Sequence, residues 1–123
     1  MIGTNIAPKD SVRQWDLEVM MDSVLIVDSH ASVLAKTLVA FAQAGYATMG
    51  ASTFQAAKRL LHNHPPDVLI ADLRLGAFNG LHLAVLGRRN NPTMTTIVTH
   101  SPADRGLESD AQRLNVAFCR KPS

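Results

Sequence analysis

The sequence has a single cysteine, Cys119, so no disulfide can close within the chain and a reducing compartment is its natural setting. No stretch approaches the roughly 18 consecutive apolar residues that a membrane-spanning helix needs. The opening MIGTNIAPKDSVRQWDLEVMM also lacks the apolar centre of a signal peptide. These absences predict a cytoplasmic protein with no membrane partner. Excess charge is small: the net value is +2, and the sequence pI of about 9.0 needs only a slight surplus of Lys and Arg. The basic residues are scattered, with Lys58-Arg59, Arg88-Arg89 and Arg120-Lys121 the adjacent pairs, so a nucleic-acid interface within this chain is not predicted. There is no phosphate-cradling P-loop and no G-x-G-x-x-G turn, and without a G-x-S-x-G elbow a Ser29-His-Asp hydrolase lacks its signature. No internal repeat or low-complexity tract interrupts the chain.

What the sequence does have is a regular alternation. With 46% hydrophobic residues in 123, there is material for one domain with a real core. SVLIVD (23–28) and DVLIAD (67–72) are apolar on both faces, the pattern of strands buried between two layers. YATMGA (46–51), MTTIVT (94–99) and VAFCR (116–120) read as three further strands, with Cys119 as a small core residue. Between them run helical periods. One uses Val33, Leu34, Thr37, Leu38, Phe41 and Ala44, stopped by Gly45. A second uses Phe54, Ala57, Leu60 and Leu61, with Ser52 and Gln55 as its capping box and Pro65-Pro66 as its stop. A third starts at Gly80, with Leu81, Ala84, Val85 and Arg88 on one side, and a fourth opens at Ser101-Pro102 with Leu107, Ala111 and Leu114 facing in. The order β-α-β-α-β-α-β-α-β predicts a doubly wound α/β domain on a parallel five-stranded sheet. Residues 1–22 stand outside this rhythm: Val12, Trp15 and Val19 suit a helix, while Trp15, Leu17, Val19 and Met21 suit a strand.

In open parallel sheets, ligands bind beyond the carboxyl ends of the strands. Those positions hold Asp28, Ser29 and His30, then Asp72, then Thr99 and His100, then Lys121. Taken singly, each has an ordinary explanation. Asp72 could cap its own loop, Asp28 a helix, Thr99 is a good strand residue, Lys121 could be a surface lysine and Phe118 is as readily core as switch. Together with Asp28 and Asp72, His30 and His100 could bind a transition metal, or both could be half-exposed loop imidazoles. His62 and His64, just before the two prolines, read as solvent-facing residues at a helix end.

The set LIVD (25–28), DVLIADLRLGAFNGL (67–81), IVTHS (97–101) and FCRKP (118–122) resembles the receiver domains of two-component response regulators, over residues 23–122. That resemblance implies a flavodoxin-like fold with strand order 2-1-3-4-5, and a signalling module rather than an enzyme. It implies Asp72 as phosphoacceptor, Thr99 as the hydroxyl that follows the phosphate, Phe118 as aromatic switch and Lys121 as the pairing cation, with a Lys121-Pro122 bond that can be cis. Mg²⁺ would be held by Asp28, Asp72 and the backbone carbonyl of Arg74. The implied partner is a sensor histidine kinase or a phosphotransfer protein.

The sequence departs from that pattern in three places. Ser29 stands where the family carries a second acid, and a neutral hydroxyl is a poor ligand for a hard cation, so a weakened Mg²⁺ site is predicted. The alternative is a pseudo-receiver that binds partners without phosphorylation. Gly76 stands where many receivers carry proline, which predicts a looser loop after Asp72. Finally, the family closes with a helix after the Lys-Pro pair, and this sequence stops at Ser123. Residues 9–21, bearing Val12, Trp15, Leu17, Val19 and Met20, are expected to cover the face so left open, within one chain or by exchange in a homodimer.

Overall fold

The computed structural model describes residues 22–100 and 108–120. In chain order the first elements are β1 (Ser23–Val27), α1 (Ala31–Gln43), β2 (Ala47–Ala51), α2 (Phe54–Asn63) and β3 (Val68–Asp72). A short ribbon follows, β4 (Arg74–Leu75) and β5 (Phe78–Asn79), then α3 (Gly80–Asn90), β6 (Thr95–His100), α4 (Glu108–Arg113) and β7 (Ala117–Arg120). The five longer strands form one parallel sheet in the order β2-β1-β3-β6-β7. This is the doubly wound arrangement and the strand order that the alternation and the resemblance predict.

Handedness explains which helix lies on which face. From β1 the chain steps outward to β2, then reverses and steps through β3, β6 and β7 in the opposite direction. Because each parallel crossover is right-handed, the reversal moves the helices to the other face. α1 therefore packs on one face, over Val24, Ile26 and Ile70, with Leu34, Leu38 and Phe41 half-buried against them. On the other face, Phe54, Ala57 and Leu61 of α2 and Leu83 of α3 meet Leu25, Val27, Leu69 and Ala71. A neighbouring cluster joins Leu81, Ala84 and Ala111 to Val98 and Val116.

Local chemistry sets the helix ends. α1 stops in a Schellman motif: Gly45 takes φ +99, its N–H reaches Ala42 O at 3.1 Å, and the Tyr46 N–H reaches Phe41 O at 3.1 Å. The accompanying apolar contact is the edge-to-face pair of Phe41 and Tyr46, with ring centroids 5.3 Å apart. α4 ends the same way, with Asn115 at φ 56 and the Val116 N–H on Ala111 O at 2.9 Å.

Several expectations are corrected. The cap of α2 is Thr53, one residue after the expected Ser52; its hydroxyl accepts from the Ala56 N–H at 3.1 Å. Burial of Phe54, Ala57 and Leu61 fixes the helix phase, which makes Phe54 the first helical residue and leaves Gln55 out of any reciprocal box. Thr53→Ala is expected to lower stability by about 1 kcal/mol, read by chemical denaturation, whereas Ser52→Ala should cost only a few tenths (~0.3). On α3 the buried positions are Leu81, Leu83, Ala84 and Gly87, while Val85 is 41% exposed. Arg88 is not a core residue; its guanidinium donates to the carbonyls of Leu114 and Asn115 and ties α3 to the turn before β7. The loop after Asp72 holds a two-stranded ribbon. Arg74–Leu75 pairs antiparallel with Phe78–Asn79, and Gly76 turns it at φ +65, a conformation closed to proline. His62 and His64 are exposed at the end of α2, as expected.

Cys119 is exposed, not core. Its neighbours explain why. Strand register puts Ile97 beside Ala117 and Thr99 beside Cys119, on the α1 face, yet α1 sits mainly over β1 and β2. Ala117 and Cys119 are exposed there and Ile97 is half-buried. The predicted start of the fourth helix at Ser101-Pro102, the Lys121-Pro122 bond, and the N-terminal cover all lie outside the described residues.

Candidate functional site

β1 and β3 are neighbours at the point where strand order reverses, so their carboxyl ends open one crevice. Asp28 follows β1, and Asp72 is the last residue of β3. Both are 5% exposed, which is unusual for ionisable side chains and marks them as placed rather than solvated. The Asp28 backbone N–H donates to Ala51 O at 3.1 Å, anchoring that carboxylate to the end of β2. Asp72 is fixed from the other side: it is in register with Thr99, and the next N–H, Leu73, donates to Thr99 O at 2.8 Å.

His30 completes the group. Its backbone N–H donates to Asp28 Oδ1 at 2.9 Å, and its ring Nδ1 lies 3.0 Å from the same oxygen. The same Nδ1 is 4.0 Å from Asp72 Oδ2. His30 occupies the N-cap position of α1 but makes no side-chain capping bond. Its ring is turned back over the crevice instead. Asp28, His30 and Asp72 offer ligand atoms that all lie within 4.8 Å of one another, an arrangement able to hold a metal ion.

The other residues singled out in the sequence divide. Thr99 stands beside Asp72, half-buried. Ser29 is exposed, between the buried Asp28 and the ring of His30. The Arg74 N–H lies 3.4 Å from Asp72 Oδ1, so the first residue of β4 borders that carboxylate. His100 does not join the acids: its ring stacks on Phe118, with centroids 4.1 Å apart and planes 8° from parallel. Both extend from the sheet face opposite to Thr99, because their neighbours Val98 and Thr99 alternate. Lys121 lies outside the described residues.

The close approach of Gly80 and the cap at Asn79 escaped the sequence reading. A Cβ on Gly80 would stand 2.6 Å from the Asp72 carbonyl oxygen, so only glycine lets α3 begin against the backbone of β3. Asn79 caps that helix, accepting from the N–H groups of Leu81 at 2.9 Å and His82 at 3.2 Å. An Asn-Gly pair just before a helical period is the signal that could have found both.

Comparison with known proteins agrees with this geometry. The solved structures most alike include a CheY-like receiver domain protein from Methanospirillum hungatei JF-1, with TM-score 0.77, 21% identity, and coverage of 84% of this chain and 83% of that one. A receiver protein from Pseudomonas putida gives TM-score 0.73 at 26% identity, covering 83% of this chain and 87% of that one. A response regulator from Burkholderia pseudomallei, solved with a phosphorylated aspartic acid, calcium ion and citrate, gives 0.75 at 20% identity, covering 83% and 61%. Among curated proteins, the alginate biosynthesis transcriptional regulatory protein AlgB of Pseudomonas aeruginosa is 30% identical over 88 residues, 70% of this chain. The chain spans only 20% of that relative's length. Residues 24–116 match the family described as the response regulator receiver domain, and the chain belongs to that family.

Proposed function

We propose that this domain is a phosphoacceptor module of two-component signalling, taking a phosphoryl group on Asp72 from the phosphohistidine of a sensor kinase or phosphotransfer protein. The observation that carries the reading is the pairing of two acids, each 5% exposed, at the carboxyl ends of β1 and β3, with Thr99 in register beside the second. A carboxylate so held is a competent nucleophile towards phosphorus. One Asp72 oxygen forms the new P–O bond as the donor's P–N bond breaks, and the departing electron pair stays on the donor imidazole, which then takes a proton from solvent. Thr99 supplies a hydroxyl donor to the transferred oxygens, and Lys121 is read as the cation that pairs with them. The phosphorylated aspartic acid of the Burkholderia protein supports the same chemistry on this fold.

The resemblance to receivers implies Mg²⁺, and two buried carboxylates, Asp28 and Asp72, suit the one or two that this ion accepts from protein. When bound, the ion neutralises charge on the transferred group. Asp28 and Asp72 would hold it, with the Arg74 carbonyl as a further oxygen donor.

Ser29 favours a second reading, a pseudo-receiver that binds partners without phosphoryl transfer, since its exposed hydroxyl stands where the family has an acid. Incubation with a small phosphodonor and Mg²⁺, followed by intact mass, separates the two. A gain of one phosphoryl group supports the switch, and its absence under all donors supports the scaffold. Ser29→Asp adds a hard, charged ligand, so Mg²⁺ affinity should rise about tenfold and labelling should speed up. Acids crowded at one rim repel, so the metal-free variant should melt lower. Coincident Mg²⁺ titrations of the two proteins would remove Ser29 from the metal shell.

A further inference from the structure

Beside the two carboxylates that would suit Mg²⁺, the rim carries a donor that this ion does not favour. Mg²⁺ is hard, keeps several waters and takes oxygen from protein, whereas imidazole nitrogen suits divalent ions such as Zn²⁺ and other first-row transition metals. Where a second carboxylate would serve Mg²⁺, Ser29 is neutral and exposed, and the next side chain, His30, brings a ring nitrogen to the two acids. The rim thus offers two oxygens and one nitrogen, from Asp28, Asp72 and His30.

The distances match a common centre. In an octahedral shell, donors about 2.1 Å from one ion lie about 3.0 Å apart in neighbouring positions and about 4.2 Å apart across it. His30 Nδ1 is 3.0 Å from Asp28 Oδ1 and 4.0 Å from Asp72 Oδ2, both inside those limits without movement. All three residues' ligand atoms fall within 4.8 Å, so closure of about half an ångström suffices for the widest pair. The ring makes no capping bond to α1, and its Nδ1 already faces the acids, 3.0 Å from Asp28 Oδ1. Its other face is open, with the His30 side chain 66% exposed against 7% and 6% for the acids. A water or a transferred oxygen therefore has access to the same ion.

We infer that His30 is a metal ligand through Nδ1, and that the Asp28–His30–Asp72 site selects a divalent transition ion, of the Mn²⁺, Co²⁺ or Zn²⁺ kind, over Mg²⁺. This rests on the receiver reading for the place of the site but not for the identity of its ion. Ser29 then marks a change of metal preference. The nitrogen that replaces the lost acid adds affinity for transition ions and little for Mg²⁺.

The test is calorimetric titration of the whole chain with Co²⁺ and, separately, Mg²⁺. Wild type should bind Co²⁺ more tightly than Mg²⁺ by at least about tenfold, following the preference of imidazole for transition metals. His30→Ala should lose about tenfold or more in Co²⁺ affinity while its Mg²⁺ affinity stays within about twofold. Asp28→Asn should weaken both ions, and His100→Ala neither. With Mn²⁺ bound and histidine labelled with ¹⁵N, pulsed EPR should detect a histidine nitrogen in wild type and His100→Ala but not in His30→Ala. Equal Co²⁺ binding in wild type and His30→Ala, or no histidine coupling, overturns the inference. Transfer to Asp72 by a protein indifferent to His30 would leave the receiver reading standing and this one fallen. The reverse result would sink only the receiver reading.

Discussion

Asp72→Asn is expected to abolish phosphorylation by a small phosphodonor, with no phosphorylated species in intact mass spectra under conditions that label the wild type to completion. The amide keeps the shape of the side chain and removes the nucleophile. The loss should be chemical rather than structural. Asp72 is buried beside Asp28 at the end of a strand paired on both sides, and the variant replaces one of two neighbouring carboxylates by a neutral isostere. Removing charge from crowded acids does not destabilise by repulsion, so the thermal midpoint should hold or rise. Asp28→Asn supplies the contrast: the nucleophile stays and a metal ligand goes, so labelling should slow without vanishing. A variant lacking the Asp72 carboxylate that still labels fully would end the receiver reading, because Asp28 is the other acid of this rim among the described residues.

The sequence made the sheet legible because buried parallel strands have a signature that survives without structure. Val24 to Val27 and Leu69 to Ala71 read as apolar on both faces, and they are buried on both. The same pattern located Asp28 and Asp72 by where the apolar runs end. What it could not show is direction. His30 and His100 look alike as loop imidazoles, yet one ring turns to the acids and the other stacks on Phe118, a choice made by strand alternation and by the Asp28 hydrogen bonds. Leu83 and Val85 flank Ala84 in a mostly apolar stretch, each about 100° from it around the helix, so periodicity alone misjudged which is outside. The two-residue strands of the ribbon after Asp72 are too short for any period to register. Cys119 misled for a further reason: composition says that cysteine is usually buried, but burial needs a covering layer. Over β6 and β7 the described helices supply none on the α1 face.

That open strip motivates the second large effect. Removing residues 1–20 is expected to lower the thermal midpoint by at least about 5–10 °C, the scale of 1–2 kcal/mol in a domain this size, and to promote self-association. The strip holds Ile97, Ala117 and Cys119, half-buried to exposed, beside an α1 that packs mainly on β1 and β2. The chain enters β1 at Ser23, two strand spacings, or about 10 Å, from β6, a gap that three extended residues span. A helix over residues 9–19 would run about 16 Å, within the length of the six-residue β6, and leaves residues 20–22 to cross the gap. In that helix Val12, Trp15 and Val19 share one side, and Trp15 brings the largest area to bury. Trp15 is also the chain's one tryptophan, so its fluorescence reports on the cover directly. Emission from the native protein should be blue-shifted and move red on denaturation, and Trp15→Ala should reproduce part of the stability lost on truncation. If the cover is exchanged between two chains, the midpoint will rise with protein concentration, and sedimentation will find a dimer that the truncated form cannot make. Native emission already at the wavelength of free tryptophan, together with a truncated domain as stable as the full chain, would mean that residues 9–21 do not lie on this face.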